Sequence, residues 1–165
     1  MSILRLIKTR RSIRKFKKKT IAKRLIDGIL EAGRWAPSGL NNQPWKFLVL
    51  DKAKKDSLAE FTHYSSVIKE ADKAILVFLD KKASYNREKD LMAIGACIQN
   101  MLLYGHSKKI GACWLGEIIN QKDKLQRFLK IPKYLELMAV LALGYPSVFP
   151  KRTKRKQLRS LIEKR

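Results

Sequence analysis

The spacing of hydrophobic residues divides the chain into helices and strands. Apolar residues that recur every three or four positions predict helices, and unbroken apolar runs predict buried strands. The predicted helices are residues 2–9, Thr20 to about Trp35 with Thr20 as N-cap, 53–72, 88–107, and Asn120 to Lys130 with Asn120 as N-cap. The predicted strands are residues 46–50, 74–79, 110–116 and 137–145. The run over 74–79 has no polar position, which is typical of a strand covered on both faces.

The predicted helix over residues 88–107 has almost no polar face. A helix that is apolar all round must be buried on every side. Because a small domain rarely encloses such a helix alone, we expect a partner subunit to cover part of it. A deeply central helix in a monomer is the alternative.

Composition places the chain among soluble globular proteins. Its 165 residues, 45% hydrophobic and 31% charged, predict one domain over residues 1–165 that ends in a basic tail at 146–165. No apolar run approaches the ~18 residues of a membrane span, and no signal peptide precedes the first helix, so we expect a cytoplasmic protein without membrane contact. Cys97 and Cys113 form no metal-ligand pattern and are interpreted as small buried hydrophobes.

The net charge of +23 would attract a polyanion such as nucleic acid. The basic residues are spread along the chain, however, and no known nucleic-acid-binding sequence accompanies them. A solvated lysine surface with non-specific adhesion to nucleic acid is therefore the favoured interpretation. A basic nucleic-acid-binding or scaffold module without redox activity remains the alternative function.

Two polar segments carry the candidate chemistry. In Thr9–Phe16, three arginines surround the hydroxyl of Ser12, which suits the binding of a phosphate. In Ala36–Trp45, Pro37 ends the preceding helix, and the following serine, glycine and asparagines tolerate unusual backbone angles. A loop so rich in hydrogen-bonding groups suits a polar, planar ligand, although an ordinary helix-to-strand turn has the same composition.

Together the two segments resemble the nitroreductase family of FMN-dependent oxidoreductases. That family carries an R-R/H-S-x-R/K segment, then a helix, and then A-P-S-x-x-N-x-Q-P-W before its first strand. The resemblance extends more loosely over nearly the whole chain. It implies an α+β nitroreductase-like fold, with a mainly antiparallel central sheet flanked by helices, assembled as an intertwined homodimer.

The resemblance also implies a set of residues that bind FMN. It assigns the phosphate to Arg10 and places a cation, Arg14, beside the reacting ring as the catalytic residue. It also implies that Trp114, Leu115 and Gly116, at the end of the predicted strand 110–116, contact the flavin ring. The alternative for Trp114 is a purely core role. The implied FMN-binding residues are Arg10, Arg11, Ser12, Arg14, Pro37, Ser38, Gly39, Asn41, Trp114, Leu115, Gly116 and Arg155. The first four would belong to one subunit, and Pro37 to Asn41 to the other.

The basic tail resembles the segment with which family members return to the FMN phosphate. Alignment on Leu158 places Arg155 at the arginine position of that segment. The second basic position falls on Thr153, with Lys154 and Arg152 as neighbours, so the choice among these three stays open.

The function implied is transfer of electrons from NAD(P)H through tightly bound FMN to a small-molecule acceptor in two steps at one site (ping-pong). A nitroaromatic, a quinone or free flavin could be the acceptor, and dehalogenation is a related activity. No G-x-G-x-x-G segment follows a strand and no nucleophile elbow is present, so the redox chemistry would belong to the flavin.

Overall fold

The structure, a computed structural model, describes residues 2–151 and 153–163. The α-helices are α1 (Ile3–Thr9), α2 (Lys23–Arg34), α3 (Lys52–Asp56), α4 (Ser65–Glu70), α5 (Arg87–Ser107) and α6 (Lys122–Phe128). The strands are β1 (Phe16–Lys17), β2 (Trp45–Asp51), β3 (Lys73–Asp80), β4 (Gly111–Leu115) and β5 (Leu135–Pro146). Short 3-10 turns occupy Gly39–Asn41, Ser57–Phe61, Glu117–Gln121 and Leu158–Leu161.

One antiparallel sheet organises the chain. The strands follow the order β1-β5-β3-β2, and β4 pairs with β5 as well. Within the part of the chain that the structure describes, β2 pairs with β3 alone and is therefore an edge strand. Helices cover both faces of this sheet, so the predicted α+β fold with an antiparallel central sheet is confirmed.

Strand β3 separates two hydrophobic cores. Its side chains alternate between them because successive residues of a strand point to opposite faces. Ile75 and Val77 pack in the core that α2 and α5 cover. Leu76 and Phe78 pack in the core beneath α4 and α6. The prediction of a strand buried on both faces is confirmed, since residues 74–79 are all buried.

Helix α5 is the longest element and lies against α2 and the sheet. Its buried side includes Cys97, Ile98 and Met101, whereas Met92 near its start is 71% exposed. The helix is therefore not enclosed all round by its own chain. The expectation that a partner subunit covers the remainder stays a prediction.

The predicted start of α2 is wrong. The helix begins at Lys23, and Ala22 rather than Thr20 occupies the N-cap position. The backbone N–H of Ile21 donates instead to a carboxylate oxygen of Asp72 at 2.8 Å. This bond anchors residue 21 in front of the helix, so helical geometry starts later than the sequence pattern predicts.

Two other helix boundaries differ from the prediction. The predicted helix over 53–72 is broken at Thr62, whose hydroxyl accepts a hydrogen bond from the N–H of Tyr64 at 3.1 Å. Asn120 does not cap α6, because it lies inside the 3-10 turn that precedes the helix. The helix itself begins at Lys122.

Both cysteines are buried, as predicted. Burial raises the pKa of the Cys97 thiol to about 12. Across residues 2–151 and 153–163, no helix is long and apolar enough to cross a membrane. The same residues contain no cluster of three or more histidine, cysteine or acidic side chains suited to a metal ion.

Candidate functional site

The arginine-rich segment after α1 is fastened to the edge of β4. Ser12 forms a parallel bridge with Ala112, and the N–H of Ile13 donates to the Ala112 carbonyl at 2.9 Å. Ile13 is buried, while its neighbours Ser12 and Arg14 are not. The alternation of a strand therefore turns Ile13 inward and presents the predicted polar residues outward.

A cleft beside this segment is lined by cationic side chains, and we call it the cationic cleft. Its volume is about 580 Å³, and its lining cations are Lys8, Arg10, Arg11, Lys154 and Arg155. Among the described residues, no carboxylate lies within salt-bridge distance of any of the five. Partial burial and the positive charges of Arg11 and Arg155 lower the pKa of Arg10. Like charges held together without a counterion favour the binding of an anion.

The end of α1 fixes part of the cationic cleft. The Arg11 guanidinium donates through Nη1 to the carbonyl oxygens of Lys8 at 2.8 Å and of Arg10 at 2.7 Å. Next to it, the Thr9 hydroxyl lies 2.9 Å from Nε2 of His106 at the end of α5. Partial burial, together with the charges of Arg10 and Arg11, lowers the pKa of His106. The imidazole next to the arginines is therefore held mainly in its neutral form near pH 7.

The basic tail returns to the same place. Thr153, Lys154 and Arg155 line the cationic cleft together with Arg10 and Arg11. The structure thus brings Arg155 close to Arg10, the predicted phosphate ligand, and places Lys154 and Thr153 in the same cleft. Arg152, the third candidate for the second tail position, lies outside the described residues.

The end of β4 continues the site beyond the arginine-rich segment. Cys113 and Leu115 are buried, whereas the indole of Trp114 between them is 42% exposed. The interpretation of Trp114 as a core residue is therefore wrong. At Gly116, an added Cβ would meet only Nε1 of Trp114, at 3.9 Å. The packing of this chain does not require a glycine there, but the close approach of a bound group would.

The other predicted segment forms a loop with unusual backbone angles, and we call residues 38–43 the strained loop. Leu40, Asn41 and Gln43 have φ of 55°, 53° and 47°, in the left-handed region that L-residues avoid. Asn41 was among the residues predicted to tolerate such angles, whereas Gly39 does not adopt one. Gly39 makes room for a neighbour instead: a Cβ at this position would displace the hydroxyl of Tyr85, whose side chain is exposed.

The strained loop is attached to the start of α5. The side-chain amide of Asn42 donates to Asp90 at 2.8 Å and to the carbonyl oxygen of Ala83 at 3.0 Å. The cationic cleft lies instead near His106, which is sixteen residues farther along the same helix. At 1.5 Å per residue the two attachments are about 24 Å apart. One chain therefore holds the two predicted groups of ligand-binding residues at opposite ends of α5.

Several residues of this region were not predicted from the sequence. Asp90, Ser84 and Tyr85 support the strained loop, and His106 adjoins the cationic cleft. One signal for Asp90 was available, because an acid directly before a long apolar run must be buried with partners if that run packs inside. Its partners, however, are brought to it by the fold and not by the sequence order.

Comparison with known proteins places the chain in context. Residues 7–77 and 62–145 match the model of the nitroreductase family. A protein of Methanothermobacter thermautotrophicus assigned as an NADH dehydrogenase/NAD(P)H nitroreductase is 33% identical over 91% of this chain and 80% of its own length. The iodotyrosine deiodinase of Thermotoga neapolitana is 30% identical over 86% of this chain and 87% of its own length.

A solved structure agrees still more closely. A protein of Desulfovibrio desulfuricans assigned as a nitroreductase, crystallised in complex with FMN, is 42% identical. The two folds superpose with a TM-score of 0.96 over all of this chain and 97% of the other.

Proposed function

The chain belongs to the nitroreductase family, and from that premise we propose that it is an FMN-dependent NAD(P)H oxidoreductase with a flavin site shared between two copies of the chain. The proposed reaction has two steps at one site. NAD(P)H first reduces the flavin, and the reduced flavin then reduces a small-molecule acceptor. FMN supplies the electron transfer, while the chain supplies binding, orientation and electrostatics.

The cationic cleft is the observation that carries the proposal. Five cations without a carboxylate partner fit the phosphate of FMN, which carries close to two negative charges near neutral pH. Arginine pairs with phosphate through two parallel hydrogen bonds, so Arg10 and Arg155 are the proposed phosphate ligands. The serine hydroxyl of Ser12, on the same outward face, would complete this half of the site.

The end of β4 supports a place for the flavin ring. Gly116 leaves open space where any other residue would carry a side chain, and the Trp114 indole next to it is solvent-accessible. We propose that Trp114, Leu115 and Gly116 line one side of the ring, largely through backbone atoms. Arg14 is exposed on the adjoining segment and is the proposed fixed cation. A positive charge there would stabilise the anion that two-electron reduction leaves on the ring.

The separation along α5 supports a shared site. The cationic cleft and the strained loop of one chain lie at opposite ends of α5, where Asp90 and His106 are about 24 Å apart along the helix. We propose that Pro37, Ser38, Gly39 and Asn41 reach the flavin from the second subunit. The exposed side chains of Met92 and Leu40 are suited to burial in such a homodimer, because they are apolar.

A flavin titration tests the proposed function. Purified protein should bind about one FMN per chain, with the shifted visible absorption of a protein-bound flavin. A protein that carries no flavin absorbance after FMN has been added and the unbound FMN removed would contradict the proposal. Salt separates it from the alternative of a nucleic-acid-binding module, because DNA affinity falls steeply with salt concentration. FMN affinity, which also rests on ring contacts, should fall much less.

The acceptor is a separate question within the same proposal. Nitroaromatics, quinones and free flavin are the first candidates, because an open site above the ring tolerates different planar molecules. A halogenated aromatic is a second candidate, since one relative is named iodotyrosine deiodinase. Steady-state assays with one acceptor of each class, at a fixed NADH or NADPH concentration, would rank them by kcat/KM.

A further inference from the structure

We propose that Asp90 is a positioning residue of the flavin site: its buried carboxylate holds Asn42, and through Asn42 it keeps the strained loop in the conformation that receives the flavin. The inference rests on the proposed function, because it assumes that the strained loop contacts bound flavin.

The strained loop needs such a restraint. Three of its six residues, Leu40, Asn41 and Gln43, occupy the left-handed region without being glycine. Each of these conformations is disfavoured for an L-residue, and such strain persists only where the surroundings impose it. A loop free of restraint would relax to ordinary backbone angles and move its polar groups away from their present positions.

Asn42 provides the restraint at the centre of this strain. It has ordinary helical angles, with φ of −71°, but lies between the left-handed residues Asn41 and Gln43. Its amide nitrogen donates to two acceptors, the Asp90 carboxylate and the Ala83 carbonyl. Because the Asp90 carboxylate and the Ala83 carbonyl can only accept hydrogen bonds, the Asn42 amide must turn its nitrogen, and not its oxygen, towards them.

The cost of this arrangement indicates that it is not optimised for stability. The amide oxygen Oδ1 of Asn42 is buried and finds no hydrogen-bond donor among the described residues. A buried polar atom without a partner is unfavourable. An arrangement with a strained backbone and an orphaned oxygen is typical of sites kept for function.

Asp90 is itself firmly fixed. It is fully buried, and its second oxygen accepts hydrogen bonds from the Ser84 hydroxyl at 2.6 Å and from the N–H of Tyr85 at 3.2 Å. Burial raises the pKa of Asp90, but the hydrogen bonds from Ser84, Asn42 and the backbone outweigh it and leave the pKa below its ordinary value. The carboxylate thus stays ionised and makes charge-assisted hydrogen bonds, which are the stronger kind.

Capping of α5 accounts for only part of the contacts of Asp90, whose Oδ2 also accepts a hydrogen bond from the backbone N–H of the N-cap residue Asn86 at 3.4 Å. Asn86 already occupies the N-cap position and accepts a hydrogen bond from the N–H of Lys89 at 3.1 Å. A carboxylate on this turn interacts favourably with the helix dipole, but that interaction does not require full burial. The contact of Oδ1 with the Asn42 side chain is not a helix-capping contact, and it is the one that joins Asp90 to the strained loop.

Asn42→Ala, compared with Asn86→Ala, is the direct test. Both variants remove an asparagine side chain near the start of α5, but only the first detaches the strained loop. Asn42→Ala should weaken FMN binding about tenfold or more if the detached loop keeps its binding conformation in roughly a tenth of the molecules or fewer. Asn86→Ala should lower the Tm by about 2–4 °C, as loss of a helix cap does in a chain of this length. It should leave the FMN Kd unchanged.

Riboflavin binding separates the ring side of the site from the phosphate side. It lacks the phosphate, so its binding reports the ring side of the site alone. Asn42→Ala should weaken riboflavin and FMN by the same factor and should change the visible circular dichroism of the bound flavin. Asp90→Asn, a second variant of nearly equal volume, should give the same pattern, because its amide would face donors that need an acceptor.

The outcomes separate this inference from the proposed function. A wild-type chain that binds neither flavin would contradict the proposed function and the inference with it. If the wild type binds FMN while Asn42→Ala and Asp90→Asn bind both flavins as tightly, the role of Asp90 is wrong and the proposed function stands. If Asn86→Ala loses as much flavin affinity as Asn42→Ala, the loss comes from general destabilisation of the fold, and the inference is wrong.

Discussion

The cationic cleft and the strained loop solve different physical problems at the two ends of α5. The cationic cleft gathers five positive side chains that lack a carboxylate partner in the described structure, so its favourable state requires an added anion. The strained loop holds three left-handed residues with buried hydrogen bonds, so its shape is set before any ligand arrives. The first region therefore lacks a counter-charge, whereas the second is already formed but has a strained backbone.

This difference predicts how substitutions in each region affect the free and the flavin-bound protein. In the cationic cleft, removal of one cation reduces repulsion in the free protein and weakens only the bound state. In the strained loop, removal of a supporting contact releases the backbone and affects the free protein as well.

The largest effect is expected for Arg10→Ala. Loss of a charge-assisted hydrogen bond to phosphate should weaken FMN binding by about 1.5–3 kcal/mol. Riboflavin affinity should not change, because riboflavin has no phosphate. Isothermal titration with both flavins measures the difference, and Arg127→Ala, at an exposed arginine on α6, is the control. A similar loss for riboflavin would show that Arg10 acts on the ring or on the fold.

Arg14→Ala should separate binding from redox tuning. Removal of the cation proposed beside the ring should lower the two-electron midpoint potential by roughly 30 mV if about 1.4 kcal/mol of stabilisation is lost. The FMN Kd should change less than in Arg10→Ala. Spectroelectrochemical titration of the bound flavin gives the potential, and an unchanged value would show that Arg14 is a solvated surface charge.

The same glycine-to-alanine change should act oppositely on stability in the two regions. Gly116→Ala meets open space at ordinary φ, so the free energy of unfolding should be unchanged or higher by about 0.4–1 kcal/mol. Gly39→Ala would have to displace the exposed Tyr85 side chain and should lower the free energy of unfolding by about 1 kcal/mol, the low end for overpacking. Urea unfolding of the flavin-free proteins measures both. A marked loss of stability in Gly116→Ala would mean that the chain itself needs that glycine.

The smallest effect concerns pH and the cationic cleft. Burial, Arg10 and Arg11 lower the pKa of His106 from its ordinary 6.5, so the unfolded chain binds the proton more readily than the folded one. The stability from neutral His106 is present above about pH 6.5 and is lost as pH falls through the folded pKa. His106→Gln should therefore reduce the fall in Tm on acidification.

His63→Gln is the control for this prediction, because the His63 side chain is almost fully exposed. Added FMN should reduce the contribution of His106, since its phosphate offsets the two arginine charges. Identical pH profiles for the wild type and His106→Gln would contradict the account of His106.

The sequence predicted the positions of most strands and helices because their signal is local. The run over 74–79 and the helix over 88–107 needed only apolar periodicity, and the structure agrees with both within one residue at each end. The errors arose where a distant group competes for the backbone. Thr20 failed as N-cap because Asp72, fifty-two residues later, binds the neighbouring N–H.

The candidate site divides in the same way. The arginines and the segment after Pro37 were recognisable because their residue types and order carry the signal. The support of the strained loop was not, because Asp90 and Asn42 are forty-eight residues apart in sequence. Even the reason for Gly39 was misjudged from the sequence. It makes room for Tyr85 and does not supply an unusual backbone angle.

Subunit mixing tests the shared flavin site most directly. Arg10→Ala and Asn41→Ala each remove one proposed half of the site, so each pure variant should bind FMN weakly. Co-refolding equal amounts makes mixed dimers with one intact and one doubly altered site, and about a quarter of all sites should then regain wild-type affinity. FMN titration of the mixture at a concentration between the wild-type and variant Kd values measures that fraction. Binding no greater than the average of the two variants would contradict a site built from two chains.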